Sequence, residues 1–343
     1  NNGGAGSTPP ASSPAGTESA SPTASPSESA PADDAVKVAV VFATGGLGDK
    51  SFNDNGYNGV ERAKSELGIT YDYVEPKDIA EYETFHRDYA RSGEYDLIVG
   101  IGFDQVDAIT KAAGEFPEQK FLIIDSVVDA PNVASATFKD QEGSFLAGVV
   151  SAQQSKSKKI GIVGGMDIPL INAFVSGYTA GAKYIDPSVE VAVNYVGAWN
   201  DANTGKEMAV AMYDKGADIV YAAAGGSGLG VFTAAEEKGQ MAIGADMVPS
   251  QMPDVLYLTT LKKIDNAIFD QIKSLKEGTW KGGLFNLGLK EDAVGYSVEG
   301  SNIATPQEYV DKAEEVKAKI VSGELVVPTE LGQVDQFLAD NKQ

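Results

Sequence analysis

A chain of 343 residues has room for about two domains of ordinary size, and 43% apolar residues suffice for a core in each. The 49 acidic side chains against 27 basic ones leave a net charge of −22, which repels phosphate backbones and excludes nucleic acid as a partner of the chain as a whole. Cysteine is absent and His86 is the one histidine, so thiol nucleophiles, disulfides and thiolate metal sites are excluded and imidazole chemistry has a single candidate.

Residues 1–34 hold Ser, Pro, Ala, Thr, Gly and Asn with a few acids, and no apolar side chain larger than alanine. Such a segment buries too little surface to offset its chain entropy and is expected to be a disordered tether. The sequence opens on Asn1 rather than methionine, which points to a removed leader. No run approaches the ~20 apolar residues that a bilayer-spanning helix demands.

The pattern changes at Val36. Val36–Phe42 is a continuous apolar, β-branched run that reads as a buried parallel strand, and Thr44-Gly45-Gly46 after it as a tight turn. Asn53–Leu67 carries Tyr57, Val60, Ala63 and Leu67 at helical spacing, with Gly68 as a stop. His86 follows among alternating acidic, basic and aromatic residues and is expected to be an ordinary surface or helix-side histidine. Further strands are predicted at Asp96–Gly100, Phe121–Ile124, Ile160–Val163, Val189–Val196, Asp218–Ala223, Met241–Gly244 and Val255–Leu258. Helix-length segments at 104–115, 140–155, 171–185, 203–215 and 227–238 separate them, so the chain is built of βαβ units with parallel sheets covered on both faces. Lys37-Val38-Ala39-Val40-Val41 and Lys159-Ile160-Gly161-Ile162-Val163 each open a set of about four units, giving two doubly wound lobes. The last third, with helices near 263–277 and 305–322 and a strand at Leu284–Leu289, exceeds what one lobe needs. It is expected to cross back and make a hinge of several strands. The predicted N-terminal lobe is 35–136 plus about 259–284; the C-terminal lobe is 137–258 plus about 285–343.

Open parallel sheets bind ligands beyond the carboxyl ends of their strands. There this sequence places Gly45 to Asn53, Gly100-Ile101-Gly102, Asp125-Ser126, Gly164-Gly165-Met166-Asp167, Gly225-Gly226-Ser227-Gly228 and Gly244-Ala245-Asp246. Each glycine alone reads equally as turn chemistry, and Asp49 equally as a cap of the first helix. Asp125 and Asp246 directly follow apolar strand cores, where a carboxylate is costly unless donors await it. No G-x-G-x-x-G in the required context and no Walker motif occurs, so dinucleotide and phosphate-loop readings fail. Carboxylates at a cleft call for hydroxyl, amino or ring N–H donors, hence for an uncharged, hydroxyl-rich small molecule. Phe52 and Phe174, one in each lobe, supply aromatic faces, though a core role is open for either.

Gly48-Asp49-Lys50-Ser51-Phe52-Asn53 with Gly56 and Gly59, Phe121 to Asp125, Gly143 to Gly148, Gly161 to Met166, Phe174 to Tyr178, Gly225-Gly226, and Gly244-Ala245-Asp246 with Lys262 together resemble the basic membrane protein family. These are nucleoside-binding lipoproteins that serve ABC importers, and the resemblance runs from about Val36 to the C-terminal region. It implies a type I periplasmic-binding-protein fold with a nucleoside, usually a purine one, between the lobes. By the same resemblance Phe52 and Phe174 sandwich the base, Asp125 reads its edge, and Asp49 and Asn53 line the pocket. Asp246 and Lys262 hold the ribose hydroxyls, and Gly225 or Gly226 lets the backbone approach the sugar. The partners implied are an ABC permease and a membrane reached through a lipidated cysteine ahead of Asn1. The chain would thus be an extracytoplasmic, monomeric, non-enzymatic lipoprotein without cofactor or metal. Two rival readings are a sugar receptor of the same fold, which leaves the phenylalanine pair less explained, and a nucleoside hydrolase. No aspartate cluster at metal-ligand spacing supports the hydrolase. A surface sensor or adhesin that kept the fold without the ligand is a third.

Overall fold

The computed structural model describes residues 35–248 and 252–342, so the expected tether at 1–34 lies outside the described residues. The first half of the chain runs β1 (Lys37–Val41), α1 (Phe52–Leu67), β2 (Thr70–Val74), α2 (Glu81–Ser92), β3 (Leu97–Ile101), α3 (Val106–Glu115), β4 (Phe121–Ile124) and β5 (Val133–Phe138). The second repeats the alternation with α4 (Asp140–Gln154), β6 (Lys159–Gly164), α5 (Pro169–Ile185), β7 (Glu190–Tyr195), α6 (Ala202–Asp214), β8 (Ile219–Ala223), α7 (Leu229–Lys238), β9 (Met241–Gly244) and β10 (Leu256–Lys262). The tail adds α8 (Ile264–Lys276), β11 (Gly283–Leu287), β12 (Val294–Ser297), α9 (Gln307–Ser322) and α10 (Val334–Asp340).

Two six-stranded sheets result, ordered β11-β5-β4-β3-β1-β2 and β12-β10-β9-β8-β6-β7. All pairings are parallel except β10 with β12. The apolar runs form central strands because both faces are covered: every residue of β3 is buried. Val38, Val40 and Phe42 face the core shared with α1 and α8, while Ala39 joins Ile98, Ile109 and Phe121 on the side of α2 and α3. In the second sheet Val163 and Val220 face α6 and α7, and Ile160, Ile162 and Tyr221 face the opposite side with α4 and α5. This is the type I periplasmic-binding-protein fold, two doubly wound lobes in tandem.

The chain passes between sheets at β5 to α4, β10 to α8 and β11 to β12. Strand β10 stays in the second sheet to Lys262 and β11 in the first to Leu287. Five elements escape the apolar-run reading. Edge strand β2 (Thr70–Val74) is largely exposed, α2 is heavily charged, β5 is built on Ala and Ser, β12 is four residues long, and α10 spans only seven residues. His86, expected at a surface or on a helix side, is on α2 but fully buried, its Nε2 2.6 Å from Gln105 Oε1. Burial holds its pKa down to about 4, so the imidazole is neutral and its surface reading is corrected.

Candidate functional site

The strand order reverses between β1 and β3 in the first sheet and between β6 and β8 in the second, and the carboxyl ends at both switch points open into one cavity. Its empty space is ≈ 700 Å³, counting the part open to solvent. All nine residues singled out in the sequence line it: Asp49, Phe52, Asn53, Asp125, Phe174, Gly225, Gly226, Asp246 and Lys262.

The loop before α1 is fixed by its own polar side chains. Asp49 accepts N–H bonds from Ser51 (3.0 Å), Asn53 (2.8 Å) and Asp54 (3.1 Å), so from two residues before the N-cap Ser51 it satisfies first-turn donors of α1 as well as walling the cavity. Burial nevertheless pushes its pKa up to about 6, against the pull of those three donors. Asn53 Oδ1 accepts from Ala43 N (3.0 Å) and its Nδ2 donates to Gly46 O (3.1 Å), so Asn53 shapes the loop and holds Phe52 at the cavity.

Asp125 after β4 and Asp246 after β9 occupy equivalent places in the two sheets, and both take left-handed backbone, φ 70° and 72°. That conformation turns the chain sharply at the strand end, and both carboxylates line the cavity. Asp246 accepts from Ser51 Oγ of the opposite lobe, and Asn55 Nδ2 of α1 donates to Lys262 O (2.6 Å), so polar contacts bridge the lobes beside the cavity.

Lys262 ends β10 and is the cation at the floor. Its Nζ lies 2.8 Å from the Asp125 carboxylate and 3.0 Å from Asp140 Oδ2, all three side chains being 2–3% exposed. The rings of Phe52, Phe138 and Phe174 surround it at 5.7, 5.3 and 5.5 Å. Burial alone would lower its pKa, but Asp125, Asp140 and Asp246 outweigh that and hold the ammonium above its ordinary range. One lysine cannot compensate three buried carboxylates: burial pushes Asp140 up to about 7 and also raises Asp246, with Lys262 pulling both down. Two of the three ammonium protons are engaged by carboxylates, which leaves one to point elsewhere.

Asp140, Phe138, Phe103, Asp104 and Trp199 belong to this constellation and were not read from the sequence. Phe138 ends β5 and Asp140 follows it, and the Ala-Ser composition of β5 hid it as a strand, so its end was not searched. Phe103 and Asp104 directly follow Gly102, and Trp199 stands in the loop after β7; extending the search of each strand end by a few residues finds all three.

The sequence profile of the Bmp family, ABC transporter substrate-binding protein PnrA-like, matches residues 36–330. An uncharacterised lipoprotein of Pyrococcus horikoshii is 37% identical over 277 residues, 76% of this chain and 68% of that one. The ABC transporter nucleoside-binding protein BmpA of Lactococcus lactis subsp. cremoris is 33% identical over 318 residues, 86% of this chain and 89% of that one. Among solved structures, a solute-binding protein of an ABC transporter system from Aeropyrum pernix K1 superposes with a TM-score of 0.80 at 32% identity, covering 89% of this chain and 98% of its own. The lobes, the shared cavity and these likenesses agree, and the chain belongs to the Bmp family of ABC transporter substrate-binding proteins, a family of binding proteins rather than enzymes.

Proposed function

We propose that this protein captures a nucleoside, a purine one by preference, in the cavity between its lobes and presents it to an ABC permease on the extracytoplasmic side of the membrane. The observation that carries the reading is the pairing of Phe52 from the first lobe with Phe174 from the second across a cavity floored by Lys262 and walled by Asp125 and Asp246. Two rings lining one cavity suit a flat base, and carboxylates with one spare ammonium proton suit ring N–H and vicinal hydroxyl groups. In this reading Asp125 meets the base edge, Asp246 and Lys262 meet the ribose, and Gly225 and Gly226 let the backbone come close to the sugar. Asp49 and Asn53 act by shaping the loop that carries Phe52. The Lactococcus relative, named a nucleoside-binding protein, adds support for a nucleoside. Relatives named as lipoproteins, together with the Ser/Pro/Ala-rich composition of residues 1–34, support a lipid anchor on the protein.

A sugar would use the carboxylates but not the ring pair, so the decisive titration compares nucleosides with ribose. Base stacking on an aromatic ring is worth roughly 1–3 kcal/mol. Phe174→Ala should therefore weaken a nucleoside by roughly 5- to 150-fold and leave any ribose binding nearly unchanged. Calorimetry on parent and variant, with melting curves to confirm folding, measures both. Ribose binding as tightly as the nucleoside, or a variant with parental nucleoside affinity, would refute the assignment.

A further inference from the structure

Gly100, Gly102 and His86 meet behind the cavity wall of the first lobe. Helix α2 buries Tyr82 and His86, one turn apart on the same face, against the carboxyl ends of β1 and β3, the strands that flank the switch point of the first sheet. Gln105, in the turn after β3, donates from Nε2 to Val41 O (2.9 Å) and Ile101 O (3.0 Å), and so ties the ends of both strands together. With both amide protons spent, its Oε1 accepts from His86 Nε2 (2.6 Å), which fixes the imidazole as the Nε2–H tautomer. Tyr82 Oη accepts from Thr44 N (3.0 Å) and donates to Asp104 Oδ2 (3.4 Å), joining the loops that follow the same two strands.

The glycines of Gly100-Ile101-Gly102 serve this arrangement. A Cβ on Gly100 would lie 2.9 Å from Gln105 Oε1 and 3.3 Å from His86 Cε1, so only glycine admits the pair. Gly102, at φ 137°, makes the turn that brings Phe103 and Asp104 to the cavity. Tyr82, His86 and Gln105 are at most 1% exposed and lie behind the cavity surface, yet their immediate neighbours in these loops, Ala43, Gly45, Phe103 and Asp104, line it. Leucine and phenylalanine of similar volume would fill the same space and hold the lobe together as well. What apolar side chains cannot do is fix two loop main chains relative to each other.

We propose that Tyr82, His86 and Gln105 are positioning residues for the first lobe's half of the site: they splint the loops after β1 and β3 to each other, so that this wall is set before a ligand arrives. This rests on the cavity being the nucleoside site proposed above. A preformed wall spares the ligand the entropy of ordering it, and without the splint that cost falls on binding.

The test uses the full chain. Calorimetry with inosine, adenosine, guanosine, uridine, adenine and ribose selects the tightest binder as the probe. Tyr82→Phe, which keeps the ring and removes the hydroxyl, should weaken that probe roughly 5- to 20-fold, with the loss carried by a less favourable entropy. His86→Leu should act in the same direction, and His86→Gln, whose amide can still donate to Gln105 Oε1, should restore most of the affinity. Hydrogen exchange on the ligand-free proteins, read by mass spectrometry, should show segments 43–48 and 101–106 opening faster in Tyr82→Phe and His86→Leu than in the parent, while β1 and β3 stay protected. Saturating probe should bring the protection back. A merely structural role would lower the melting temperature and leave both the affinity and the loop exchange of the folded variants at parental values. If no nucleoside binds, the nucleoside reading falls, and the ligand-free exchange still decides the splint. Parental loop exchange in ligand-free Tyr82→Phe, or parental probe affinity in that variant once its melting curve shows it folded, overturns the proposal.

Discussion

At the scale of single residues, the site depends on side chains placed where they are costly. Asp125 and Asp246 take left-handed backbone at about 1 kcal/mol each, the low end for a non-glycine residue because a short carboxylate side chain tolerates that region. Their carboxylates sit beside a single ammonium, an arrangement a stability-optimised core would avoid. His86 is the contrasting case, buried behind the cavity wall with no exposure, bonded to Gln105, whose amide in turn donates to Val41 O and Ile101 O. Its folded pKa of about 4 lies below the ordinary value of 6.5. The stability this confers is complete above pH 6.5 and is lost as pH falls through 4, by about 3 kcal/mol in all. Asp49 and Asp140 act with opposite sign, since folded pKa values of about 6 and about 7 let the folded state keep protons that the unfolded state releases. Denaturant unfolding at a series of pH values should therefore show His86→Gln flatter than the parent, or even rising, as pH drops from 6.5 to 4. Parallel pH profiles for the two proteins would mean that His86 is not buried neutral.

At the scale of elements, the glycines divide into two kinds. Those at strand ends, such as Gly225 and Gly226, line the cavity, and those of α4 and α5 serve helix packing: a Cβ on Gly181 would lie 2.0 Å from Phe145 O, one on Gly177 2.2 Å from Gln141 O, and one on Gly148 2.3 Å from Tyr178 O. Gly148 and Gly177 thus have a packing role within Gly143 to Gly148 and Phe174 to Tyr178, Gly143 lies against the backbone of Gly295, and the close approach of α4 and α5 sets the seat of Phe174 on α5. Gly181→Ala gains about 1 kcal/mol in helix propensity but forces two backbones apart, and overpacking costs about 1–3 kcal/mol. A lowered melting temperature is expected, together with weakened ligand binding through displaced Phe174. An unchanged or raised melting temperature would contradict the packing assignment. The same distinction explains how far the sequence could be read. Central strands β1, β3, β4, β6, β8 and β9 are legible because burial on both faces demands unbroken apolar runs. Edge strand β2, largely exposed, and small-residue β5 carry no such run. Hence Asp125 and Asp246, behind legible strands, were found, whereas Asp140, behind β5, was not. The ion triad with Lys262 was beyond reach for a further reason: its members are 15 and 122 residues apart in sequence, and only the sheet order brings them together.

At the scale of the whole molecule, charge decides what the cavity admits. The chain carries −22, and Asp49, Asp104, Asp125 and Asp246 line the cavity with Lys262, which Asp140 also binds, so neither the long-range field nor the site welcomes an anion. Among the described residues, the cavity lining holds no lysine or arginine other than Lys262, which two carboxylates already hold. A 5′-phosphate adds a charge of about −1.5 to −2 at pH 7, and at about 6 Å from one uncompensated carboxylate its repulsion is roughly 4–5 kcal/mol at an effective dielectric of about 20. Part of this is relieved by proton uptake, for burial already holds Asp49 near 6 and Asp140 near 7. A nucleoside 5′-monophosphate should therefore bind at least roughly a hundredfold more weakly than its nucleoside at pH 7.5, and the gap should narrow toward pH 5.5 as those carboxyls protonate. Added salt should help the monophosphate alone, because the component of the repulsion from surface charges is screened over about 8–10 Å while the uncharged nucleoside feels none of it. Paired calorimetric titrations at two pH values and two salt concentrations measure all three effects. Monophosphate affinity equal to that of the nucleoside at pH 7.5 and low salt would show that the carboxylates do not face the ligand, and with that the proposed site would fall.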